Sequence, residues 1–162
     1  MPQDLFLVVR WIHVLAASTW LGEVVVINFI LIPALSGYVG AARKDFLNAV
    51  FPRVFRLASI LAATAAVTGG LLLYHQTQLR LDMLFESRWG KMILIGGTLG
   101  LVLTLFHFFM ENKLARKIGV GCPDISDEAV EDVHSKLQVV PRMGLLVITA
   151  IYVMMMIAVR GT

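Results

Sequence analysis

Four histidines and one acid inside an apolar run carry most of the chemistry open to this chain: His13, His75, His107, His134 and Glu23. Imidazole is a metal ligand, an axial ligand to haem iron and a proton shuttle near neutral pH. His13 and Glu23 share one stretch, WIHVLAASTWLGEVVVINFILIPAL (residues 11–35), with Asn28 between Glu23 and its far end. An ionisable group at membrane depth costs roughly 3 kcal/mol or more, so it normally turns into a bundle and serves a site. Glu23 therefore reads in two ways. It is a buried hydrogen-bonded or ion-paired group, with Arg142 as partner, or it delivers protons to a redox centre.

Elements must hold these groups, and composition says of what kind. The chain has 162 residues, 58% hydrophobic and 15% charged, with a mean hydropathy of +0.80. That is membrane composition, and the length suits a single domain, 1–162. Four segments, about 5–35, 54–75, 89–110 and 139–159, have the roughly 20 apolar residues of a spanning helix. Runs this long exclude barrel strands. The expected fold is all-α, an integral-membrane antiparallel four-helix bundle. The opening MPQDLFLVVR lacks a basic n-region and leads into a run longer than a signal-peptide core, so it reads as a retained helix.

The connections add detail. Gly119, Gly121 and Pro123 stop the third helix, and Ser126, Glu128 and Ala129 look like the cap and first turn of the next. Helices 3 and 4 should thus extend past the membrane as a hairpin, with a kink at Pro141. The lone Cys122 excludes an internal disulfide and a cysteine metal cluster. Of the 14 lysines and arginines, most fall on the side of the first and third connections. The positive-inside rule then puts both termini on the periplasmic side of an inner, cytoplasmic membrane. A net charge of +3 spread between apolar spans points to lipid headgroups or anionic ligands and not to nucleic acid.

Histidine depth follows from hairpin geometry, because residues equally far from a turn share a height and each residue advances about 1.5 Å. With the first hairpin turning around residues 43–44, His13 and His75 share a level on the terminal side. With the second turning around residue 122, His107 and His134 fall within about one turn of each other on the opposite side. Axial ligation of b-type haem needs two imidazoles facing each other from separate helices, and each of these two pairs suits it. Arg10, Arg80, Arg88 and Lys91 surround the first pair, and Arg53, Arg56, Lys113 and Arg142 are available to propionates at the second. Glycines at 22, 69, 70, 96, 97 and 100 would allow close packing or leave room for a macrocycle. Equally, His75 and His134 suit plain interfacial positions, and the Met154-Met155-Met156 run points in several directions on a helix and suits core or lipid contact.

The reading is a membrane b-type cytochrome with one or two haems, exchanging electrons with a quinone or a small redox molecule. A second copy of the chain is a further candidate partner.

Several stretches also resemble a family. The H-x6-W-x-G pattern at His13, Trp20 and Gly22, followed by Pro33, resembles the first helix of CopD-like and HemJ-like membrane proteins. FPRVFRLASILAATAAVTGGLLL resembles their second helix. Trp89, Lys91, His107 and the basic exit resemble the third, and the Pro141 segment the fourth. Ala34 stands where HemJ-like chains carry arginine. The HemJ-like resemblance implies a haem-dependent protoporphyrinogen IX oxidase, with His13 and Lys91 in the haem or catalytic site. The CopD-like resemblance implies copper passage, although this chain has no Met-x-x-Met or multi-histidine entry motif.

Overall fold

The computed structural model describes residues 1–80, 82–115 and 126–160, apart from the side chains of 115, 159 and 160. Four long helices dominate. We label them α1 (Gln3–Ser36), α2 (Gly40–Thr77), α4 (Arg88–Ala115) and α5 (Asp127–Arg160), with a short α3 (Asp82–Glu86) before α4. No strand occurs among the described residues. All four long helices have the length and apolarity to cross a bilayer. Their outward side chains are apolar too: Trp11 is 65% exposed, Phe29 69% and Leu146 66%. A surface of this kind is covered by lipid. The chain is a multi-pass membrane protein built as an all-α four-helix bundle.

α1 is not uniform. Ile27–Leu31 forms a π-helical turn just before Pro33. A proline ring collides with the carbonyl four residues back and offers no N–H, and a widened turn is one way for a helix to absorb both defects. Asn28 helps by donating through Nδ2 to the Val24 carbonyl at 2.8 Å and to the Pro141 carbonyl of α5 at 3.0 Å.

Only residues 37–39 separate α1 from α2, and Gly40 opens α2 with φ of +54°. The segment 40–53, polar enough to read as a loop, is helical. Leu47 and Phe51 are one turn apart and fully buried against Leu35, Leu114, Val133 and Leu137. A second core of Trp20, Ala58, Ala62, Leu103 and Ile148 lies deeper in the bundle. Pro52 and Pro141 both sit inside continuous helices.

The expected start of α5 is present: Ser126 Oγ accepts the Ala129 amide at 3.2 Å. Gly119, Gly121, Cys122 and Pro123 lie outside the described residues. The turn from α1 to α2 is tied to the start of α5, because Arg43 donates to the Tyr38 carbonyl and pairs with Glu131 at 2.9 Å.

Two registers position everything else. His13 faces Gly69, while Leu35 and Leu47 share one core; the midpoint of both pairs is residue 41. Gly96 faces Met155, and Leu103 packs in one core with Ile148; their midpoints fall at 125–126. Along α1 and α5, polar contacts repeat from end to end: Tyr152 donates to Ser18 at 2.8 Å, Asn28 to the Pro141 carbonyl, and His134 Nε2 lies 3.3 Å from Ser36 Oγ.

Candidate functional sites in two halves of the bundle

His13 sits between α1 and α2 with its ring held from one side. Nδ1 is 2.9 Å from the Ala65 carbonyl oxygen and 3.2 Å from Thr68 Oγ1. A carbonyl only accepts, and the Thr68 hydroxyl spends its own proton on the Thr64 carbonyl at 2.5 Å. Nδ1 must therefore carry the hydrogen. In neutral imidazole that leaves the Nε2 lone pair available, the form in which histidine binds a metal. Gly69 provides the seat: a Cβ there would lie 2.9 Å from His13 Cε1.

His75 is not the partner of this ring. Its Nε2 lies 3.3 Å from the Met1 carbonyl oxygen, and its ring packs on Phe6 with centroids 5.0 Å apart. Gly69, not His75, stands opposite His13, so His75 is six residues (about 9 Å) nearer the helix end. The cause is the short connection, which centres the hairpin on residue 41 and not on 43–44.

Arg10, Arg88 and Lys91 are exposed toward the same end. Arg80 is exposed as well, but it donates to Asp82 at 3.2 Å. That hydrogen bond holds the Asp82 carboxyl below the usual carboxylate range and occupies the arginine's charge locally.

The second pair separates too. His107 lies against the bundle interior, with Trp20 edge-on at 6.0 Å between ring centroids. Its Nε2 is 3.1 Å from Ser59 Oγ, and Ser59 donates to Glu111. Glu111 is itself 3.8 Å from His107. With Ser59's one proton directed at the carboxylate, His107 donates through Nε2 to Ser59. The result is a directed chain, imidazole to hydroxyl to carboxylate.

His134 is elsewhere, buried near the end of α1. Ser36 meets its Nε2, and Glu131 lies 3.6 Å from its Nδ1. His107 shares a cavity wall with Gly144, ten residues along α5 from His134, or about 15 Å. The hairpin centre at 125–126, in place of 122, accounts for the difference. His134 ties α1 to α5.

Arg53 and Arg142 are exposed; Arg53 donates to the Ala49 carbonyl. Arg142 does not reach Glu23, so the expected ion pair is not formed. Both Glu23 carboxylate oxygens are buried without a hydrogen-bond partner among the described residues, as is Asn28 Oδ1. The Glu23 carboxylate lies beside the Ala58 backbone.

The cavity beside His107 has a volume of about 90 Å³, with walls that include Trp20, Phe55, Met110, Glu111 and Pro141. That is smaller than an engineered cavity of about 150 Å³ that binds one benzene ring. Gly69 and Gly96 seat His13 and Met155, whereas Gly22, Gly70, Gly97 and Gly100 have open space where a Cβ would go.

Sequence reasoning missed Thr68, Ser59 and Glu111. Glu111 carried a usable signal, since it follows His107 by one helical turn. Among the described residues, no three His, Cys, Asp or Glu side chains converge as a metal-ligand group. No protein-family model, curated protein or solved structure matches the chain.

Proposed function

We propose that this is an integral-membrane redox protein that holds b-type haem with His13 as its one histidine ligand. The orientation of the His13 ring carries the reading. The Ala65 carbonyl fixes the hydrogen on Nδ1, which leaves Nε2 to bond iron. Exposed Arg10, Arg88 and Lys91 suit haem propionates at the same end. The donor chemistry fits one axial bond. It does not fit two bis-histidine centres, since neither expected partner stands opposite its histidine.

Bound haem would supply one-electron chemistry, and the chain would supply the ligand, its orientation and a lipid-covered surround. A quinone or small redox molecule is the proposed electron partner. The excess of lysine and arginine around the first and third connections supports periplasmic termini in an inner membrane.

An optical spectrum of the purified protein tests this reading. Dithionite-reduced b-type bands, lost in His13→Ala, are the expected result. A colourless protein that binds Cu(I) would replace haem by copper, and porphyrinogen turnover would make the redox partner a porphyrinogen.

A further inference from the structure

Three orphaned acceptors flank one side of α1. Trp20, Val24 and Ile27 line the cavity beside His107, and Glu23 and Asn28 stand at the two edges of that face. Both Glu23 oxygens and Asn28 Oδ1 are buried without a hydrogen bond among the described residues. Buried acceptors without partners are rare in native proteins, and each one points to a donor the site is built to receive. Across the cavity, His107, Ser59 and Glu111 form the directed chain described above. Ala58 belongs to the cavity wall and also adjoins the Glu23 carboxylate. Ala58 thus connects the Glu23 carboxylate with the cavity that His107 and Glu111 line from α4.

Size selects the ligand. About 90 Å³ has room for about three waters at about 30 Å³ each, and His107 and Glu111 are the polar groups on a wall that is otherwise apolar. The cavity wall from α2 and α5 is apolar (Phe55, Ala58, Val140, Gly144), so among the described residues the ionisable groups on it are His107 and Glu111, with Glu23 beside Ala58. We infer that this half of the bundle is a proton-exchange site, in which Glu111, Ser59 and His107 pass protons through the cavity to and from Glu23. The inference stands apart from haem binding and needs no cofactor. Glu23 holds the proton; Ser59 is a positioning and relay residue.

Infrared spectroscopy of the protein in lipid nanodiscs, across a pH series and on transfer to D₂O, tests it. The expected wild-type spectrum contains a carboxylic-acid carbonyl band that titrates, exchanges rapidly and is absent in Glu23→Gln. Ser59→Ala and Glu111→Gln should slow its exchange by about 100-fold, the size of a lost proton-transfer group. Ser59→Thr, which keeps the hydroxyl, should restore fast exchange. No band lost in Glu23→Gln would overturn the inference, as would exchange as fast in Ser59→Ala and Glu111→Gln as in wild type. Far-UV circular dichroism identifies variants that keep the helical fold, and the comparison is made among those.

Discussion

His13 Nδ1 lies 2.9 Å from the carbonyl oxygen of Ala65, across the α1–α2 interface. This bond joins a ring to a backbone group, so mutation of Ala65 cannot delete it. It must be disturbed through its neighbours. Gly69 is the most direct handle, because an alanine Cβ would stand 2.9 Å from His13 Cε1. Gly69→Ala should rotate His13 away from Ala65 at a cost of about 1–3 kcal/mol, the usual range for overpacking. The expected outcome is a protein that keeps its helical circular dichroism and loses most of its haem. Full haem occupancy in Gly69→Ala would separate haem from this ring position.

The other histidines divide by role. His75→Ala and His107→Ala should both retain haem at the wild-type ratio per chain. His134→Ala should also retain it while lowering stability by about 1–3 kcal/mol, because a buried, hydrogen-bonded ring is lost between α1 and α5. Haem content by absorbance and unfolding in a mixed-detergent titration check the two halves of this expectation.

Tyr152 and Ser18 provide a measure of the α1–α5 seam. Their 2.8 Å hydrogen bond should show a coupling of about 0.6 kcal/mol in a Tyr152→Phe and Ser18→Ala double-mutant cycle, as membrane-embedded pairs typically do. A coupling near zero would mean that the seam is held by packing and by the Asn28 and His134 contacts alone.

Among the described glycines, Gly90 has the closest backbone neighbours. A Cβ there would meet the Met83 carbonyl oxygen at 2.2 Å and Leu84 Cα at 2.6 Å. Backbone cannot swing aside as a side chain can, so Gly90→Ala should push α3 from α4 and cost at least about 1–3 kcal/mol. Thermal unfolding in detergent reads this directly, and an unchanged midpoint would contradict the contact.

The fold was legible because lipid imposes a simple requirement, and four apolar runs of spanning length meet it. Ser126 was legible for the same local reason, since a hydroxyl ahead of an amphipathic run caps a helix. Segment 40–53 was not, because Arg43, Lys44, Asp45 and Asn48 mask the Leu47–Phe51 pair that buries it. That error set the hairpin centre wrong, and each residue of error there displaces opposite partners by about 3 Å. The His13/His75 pair dissolved for this reason, and the His107/His134 pair because the second hairpin centres on 125–126 and not on 122. The Ser59–Glu111 contact needed the register between α2 and α4, which no local pattern encodes.

The central claim is that His13 is the haem ligand. It is tested most directly by the dithionite-reduced spectrum and haem stoichiometry of purified wild-type protein beside His13→Ala, with His75→Ala as the control. One b-type haem per chain is expected in wild type and in His75→Ala, and none in His13→Ala. Haem retained in His13→Ala, or no haem in the wild-type protein, would contradict it.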